Sequence, residues 1–143
     1  MSGPSGGVAT ENESLETVEL RIPSKPEWVA VARLTIAAIA NRLPFSVEDI
    51  EDLKLAMAEA CTYVIAASSE DSIEMTFETG SNFLRIRVRD RGAVRPEKAI
   101  QRPAGVSTEG LGIFLIQALM DEVEHTAEGE TGGELIMTKC VGA

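Results

Sequence analysis

Apolar residues recur along this chain in two rhythms, and the rhythms divide it into elements. From Thr17 to Ile22 every second residue is apolar (Val18, Leu20, Ile22), which predicts a strand with one buried face. The same alternation returns in Ile73, Met75 and Phe77 against Glu74, Thr76 and Glu78, and again in Leu84, Ile86 and Val88 against Arg85, Arg87 and Arg89. Thr79-Gly80-Ser81-Asn82 separates these two runs, so together they predict an antiparallel hairpin with one face on a core. Its acidic and basic strands would face each other on the open side. Two further strands are predicted at Glu122 to Ala127 and at Gly132-Gly133 to Cys140.

A period near 3.6 replaces the period of two in three places. Ser24-Lys25-Pro26-Glu27 has the order of a capping box with proline in the first turn, and predicts a helix running to about Asn41-Arg42, ahead of Pro44. Ser46 and Asp49 repeat the signal at once, with Phe45 placed to staple onto Ile50. Ile50, Leu53, Met57, Ala60, Cys61 and Val64 then form one apolar stripe. Leu111 to Met120 predicts the third helix, preceded by a polar, Pro-rich loop over residues 93–109 with at most a short turn near Pro96 to Ile100. Residues 1–13 have almost nothing to bury and read as a flexible tail, leaving 14–143 as one domain. The order βααββ-loop-αββ predicts an α/β (α+β) two-layer sandwich, with helices on one face of a mixed, mostly antiparallel sheet.

Composition narrows the function. Hydrophobic residues make up 44% and aromatics only 4%, so the core should be aliphatic. A net charge of −10 argues against direct nucleic-acid binding, which needs Lys and Arg on phosphates, and fits a basic partner surface better. No apolar run approaches the ~20 residues that span a bilayer, and no signal peptide is recognisable, so a cytoplasmic, membrane-free protein is expected. Cys61 and Cys140 lack disulfide or metal spacing and read as buried thiols. His125, the single histidine, sits in an alternating segment and reads as structural, half-buried in a strand.

Three short motifs carry candidate chemistry. Gly110 and Gly112 flank Leu111 at a helix start, where unpaired N–H groups attract anions, although Gly-Leu-Gly also serves plain helix packing. The Walker and Rossmann patterns are both absent. Asp90 closes a strand in Asp90-Arg91-Gly92, either as a simple turn or as a carboxylate that accepts from an exocyclic amine. Glu59, inside the second helix, is either a solvent-facing glutamate or a general base.

In their order these motifs resemble the Bergerat-fold (GHKL) ATPases, most closely the anti-sigma-factor serine kinases of bacterial stress and sporulation partner switches. The resemblance runs through Trp28 to Leu34, Lys54 to Thr62, Val88 to Gly92, Glu109 to Ile116 and Met120 to Val123. It implies an ATP-dependent serine/threonine kinase that regulates transcription by binding a sigma factor and a STAS-type antagonist. It further implies Glu59 as catalytic base, Asp90 as the adenine-reading carboxylate, and Gly92, Gly110, Leu111 and Gly112 as cofactor-binding residues. Residues 93–109 correspond to the ATP lid, and Arg33 on the first helix to a partner contact. Family members often dimerise through the exposed sheet face, which the Glu and Arg rows here permit.

Four positions depart from that pattern. The asparagine that carries magnesium in the family, four residues after the glutamate, is Tyr63, and a bulky phenol is a poor substitute for the oxygens Mg²⁺ prefers. Val94 replaces a glycine, Thr108-Glu109 replace a basic residue before the phosphate glycines, and Ala67-Ser68 replace a His-Gly pair. The departures cluster on magnesium, base and phosphate. They make Mg²⁺ the weakest of the implied ligands and set a second expectation beside the kinase: a silent anti-sigma binding module with weak or no nucleotide binding. A third is a phosphatase-linked or other switch protein on the same fold.

Overall fold

A computed structural model describes residues 15–68, 70–90, 108–126 and 134–142. Strand β1 (Glu16–Pro23) leads through a 3-10 turn (Pro26–Trp28) into helix α1 (Val29–Ala40). Helix α2 (Val47–Ala67) follows, then the hairpin β2 (Ser72–Thr79) and β3 (Phe83–Asp90). Helix α3 (Thr108–Leu119) and strands β4 (Glu122–Thr126) and β5 (Glu134–Cys140) complete the described chain. The strands form one sheet in the order β1-β2-β3-β5-β4. All four described pairings are antiparallel, so the expected α+β sandwich contains no parallel pair among the described residues. The tail at 1–13, the turn at Pro96 to Ile100 and most of the loop lie outside them.

Alternation decides which face is which. Ile73, Met75, Phe77 and Thr79 on β2 and Leu84, Ile86, Val88 and Asp90 on β3 are all buried, while their odd-face neighbours remain at least partly open. Helix α1 contributes Ala32, Ile36, Ile39 and Ala40 to the same core, and α2 contributes Leu53, Ala56, Met57, Ala60, Cys61 and Val64. On the open face the two charged rows meet as expected: Arg89 lies 3.4 Å from Glu74 and Arg85 3.6 Å from Glu78. Arg87 reaches Glu134 on β5 at 4.0 Å. In the hairpin turn the Phe83 ring lies against the Gly80 Cα, where any Cβ would collide with it.

The two capping signals differ in outcome. At α2 the box forms: the Ser46 hydroxyl accepts from the Asp49 N–H at 3.0 Å, and the Ser46 N–H donates to the Asp49 carboxylate at 3.4 Å. Ser24 does not cap. Its N–H donates to the Asp71 carbonyl at 2.8 Å, and proline at the first position of the turn makes extended Lys25 the cap, with no side-chain bond. The cysteines also part company. Burial pushes the Cys61 thiol up to about 12, so it stays protonated and unreactive at neutral pH, whereas Cys140 is only partly buried.

A charged side chain ties the helices to the sheet. Lys139 on β5 is only 9% exposed, and its Nζ donates to the Leu119 carbonyl at 2.8 Å and stands 4.0 Å from Asp49 Oδ1. It therefore meets the negative end of α3 and the carboxylate in the first turn of α2. Lys139→Met keeps the buried stem and leaves the carbonyl without its donor. We expect it to cost about 1–3 kcal/mol, read as a lower urea midpoint at unchanged slope.

Candidate functional site

The site is built along one side of α2. Glu59 and Tyr63 are one turn apart and share a face, and both are half-buried. The apolar stripe that seats α2 on the sheet fixes where this face points.

At the Glu59 end, α3 crosses close by. A Cβ at Gly112 would stand 3.3 Å from Glu59 Oε1, so the missing side chain lets the carboxylate lie against the α3 backbone. The glycines stand at the start of the helix as expected. Helix α3 begins at Thr108, which puts Gly110 and Gly112 inside its first turns, with Leu111 exposed between them. Glu59 and Gly112 are thus brought together as the motifs suggested.

At the other end β3 delivers Asp90, only 2% exposed, beneath the C-terminus of α2. The Ser68 hydroxyl donates to Asp90 Oδ1 at 2.8 Å. Oδ2 is buried and has no hydrogen-bond partner among the described residues. An unpaired buried carboxyl oxygen is costly, and it asks for a donor.

Asp90 opens onto a cavity of about 20 Å³ whose lining includes Tyr63, Ala67, His125 and Glu134. That is space for little more than one water. Tyr63 and His125 meet edge to face, with ring centroids 5.0 Å apart and planes at 79°. His125 lies on a strand as its segment suggested, with its ring against Tyr63. It is exposed, and β4 carries it to the pocket because its register partner on β5 is Leu135, another lining residue. Ser68 was missed. Its signal in the sequence was only negative, the loss of a His-Gly pair, and the bond to Asp90 spans 22 residues.

Arg33 lies elsewhere, exposed on α1 beside Leu34, which is 71% exposed. Gly92 falls outside the described residues.

The residues present can be set against the ligands of a nucleotide site. The orphan acceptor at Asp90 fits a purine amine at one end, while at the other end the gap at Gly112 is faced by the Glu59 carboxylate. Magnesium fits less well. One turn beyond Glu59 on the same helix face stands the Tyr63 phenol, which is a poor substitute for the oxygens Mg²⁺ prefers.

Comparison with known proteins bears on the chain as a whole. Residues 22–139 match the family model described as a histidine kinase-like ATPase domain. The chain is similar to the serine-protein kinase RsbW of Bacillus thuringiensis (strain Al Hakam), 37% identical over 142 residues, covering 90% of this chain and 88% of that protein. The RsbW proteins of Bacillus cereus (strain 03BB102) and Bacillus anthracis (strain A0248) show the same identity and coverage.

Proposed function

This chain belongs to the family of histidine kinase-like ATPase domains, and on that membership we propose that it is an anti-sigma regulatory factor of a partner-switching system. It sequesters a sigma factor, engages a STAS-domain antagonist, and uses ATP to phosphorylate a Ser or Thr of that antagonist. The observation that carries the nucleotide part is Asp90, whose buried Oδ2 waits for a donor 31 residues along the chain from the Glu59 that lies against Gly112. Adenine supplies that donor through its exocyclic amine, and guanine presents an acceptor there instead.

In the transfer step Glu59 accepts the proton of the attacking hydroxyl. The hydroxyl oxygen bonds to the γ-phosphorus, the bond to the β–γ bridging oxygen breaks, and ADP leaves. Gly110 and Gly112 keep side chains out of the phosphate path, and Gly92 and Leu111 belong to the same cofactor-binding set. Partner contact falls to α1, where exposed Arg33 stands among the solvent-facing apolar residues Val31 and Leu34. No helix among the described residues is long and apolar enough to cross a membrane, which accords with a cytoplasmic place of work. The ladder of Glu and Arg pairs leaves the open sheet face available for a homodimer.

One observation favours a second reading. Tyr63 stands where the family carries its magnesium ligand, and phosphoryl transfer rests on positioning and metal electrostatics. In that reading the chain is a silent module that holds its sigma factor with or without nucleotide.

The deciding experiment pairs the purified chain with the sigma factors and STAS-domain proteins of its own genome, using γ-labelled ATP. We expect a sigma factor to be retained and label to pass to the antagonist, with Glu59→Gln lowering transfer about 100-fold while retention is unchanged. Retention without any transfer establishes the silent module. Failure to retain any sigma factor overturns the anti-sigma reading.

A further inference from the structure

We propose that Tyr63 and His125 make this a base-first pocket, one that takes adenine nucleosides and nucleotides through the purine and needs no divalent cation to do so. The inference rests on the reading of the site as an adenine pocket and deepens it by saying which part of the ligand carries binding. Three observations converge on it.

The first is the orphan acceptor. Ser68 holds Oδ1 of Asp90 at 2.8 Å and so fixes the carboxyl with Oδ2 left over at the cavity, buried and unpaired among the described residues. A ligand that fills the cavity has to meet this oxygen with a donor of its own. The demand falls on the base, at the end of the pocket away from Gly112.

The second is the aromatic pair. Base stacking on aromatic side chains is tolerant of the rest of the ligand, because it uses only the face of the ring. Tyr63 and His125 line the same cavity as Asp90, and their planes are 79° apart. A flat purine can therefore lie on one ring and meet the other at its edge, the arrangement the two rings already adopt with each other. The existing cavity of about 20 Å³ is far too small for a purine, so entry has to part the pair. The rings act as a closed door that becomes the wall of the occupied site.

The third is the metal side. Mg²⁺ beside a nucleotide takes one or two protein oxygens of carboxylate or carbonyl type and completes its shell with phosphate and water, and a phenol is a poor member of that set. The residue one turn beyond Glu59, on the same helix face, is committed to the base cavity through its ring. A phosphate tail then gains little from a bridging cation.

The chain contains one Tyr and one His, so the door can be watched directly. The experiment titrates adenosine, guanosine, ATP with EDTA, and ATP with Mg²⁺ into the full chain. Calorimetry gives the affinities, and ring-labelled Tyr63 and His125 report by NMR. We expect adenosine and both forms of ATP to bind within about threefold of one another and to shift both ring signals, with guanosine silent. Tyr63→Leu should weaken adenosine about tenfold or more, and Tyr63→Phe should retain it. His125→Ala supplies a second test should Tyr63→Leu fail to fold, and should weaken adenosine in the same sense. ATP that binds only with Mg²⁺ while adenosine does not bind overturns the base-first pocket and leaves the kinase reading standing. Ring signals that stay still under every adenine compound overturn both the inference and the nucleotide half of the proposed function.

Discussion

Phe77→Ala should cost about 3–5 kcal/mol, the largest stability loss we expect from any single substitution here. The ring is fully buried on β2, between Val18 of β1 and Ile86 of β3 in register. With aromatics at 4% of the chain, few other side chains have the bulk to fill the space it leaves. Its register partner Ile86 and the core residues Met57 and Met137 are themselves fully buried, and collapse onto the gap would have to pull apart a sheet joined on both sides. Domains of this size are stable by only about 5–15 kcal/mol, so roughly a fifth or more of the margin goes. Thermal unfolding should show it as a fall of roughly 10–15 °C, at about 3 °C per kcal/mol. Leu34→Ala, at an α1 position 71% exposed, is the control and should stay within about 0.5 kcal/mol. Equal shifts in the two variants would mean that Phe77 is not the centre of the core.

Why the fold was so legible follows from the same residues. A strand with one wet face writes its register into the sequence, because moving it by one residue would turn Phe77 out and Glu78 in. Helix α2 is legible for a related reason: Ser46 and Asp49 fix where it starts, and its stripe from Ile50 to Val64 fixes which side is buried. The same capping pattern at Ser24 misled, since local order cannot show that the Ser24 N–H is taken by Asp71, 47 residues away. Lys139 was invisible for that reason too. It alternates like its neighbours, and only the closeness of two helix ends explains a buried ammonium there.

The site divides along the same line. Glu59, Asp90 and Gly112 could be placed because each sits in a short motif whose order is informative, and the structure brings Glu59 to Gly112 and buries Asp90. Ser68 and His125 could not, since each acts through a long-range contact with no local signature. Tyr63 shows the limit most plainly. The sequence marks it as a misfit for magnesium, but that a misfit on one ligand is a wall for another appears only when its ring meets His125.

Asp90→Val should make the ligand-free protein more stable while removing its adenine binding. Oδ2 is held out of water with no partner among the described residues, and protein mutational data place that cost at about 1–3 kcal/mol. Valine suits a buried strand position opposite Ile73, and among the described residues nothing else is orphaned by the change. The Ser68 hydroxyl can turn to the Glu70 carbonyl at 3.3 Å, and it already accepts from the Glu70 N–H at 3.0 Å. The variant should therefore gain about 1–2 kcal/mol in urea without ligand. Adenosine affinity should fall about 100-fold, the worth of a hydrogen bond to a charged group. Adenosine at a hundred times its Kd should add about 2.7 kcal/mol to the native chain and only about 0.4 kcal/mol to the variant at the same concentration. The two signs matter together, because a residue kept for packing alone would lower stability when replaced and leave binding untouched. That opposite pattern would make Asp90 a structural strand end. The expected pattern would make it a strained acceptor, costly to the empty fold and retained for what it binds.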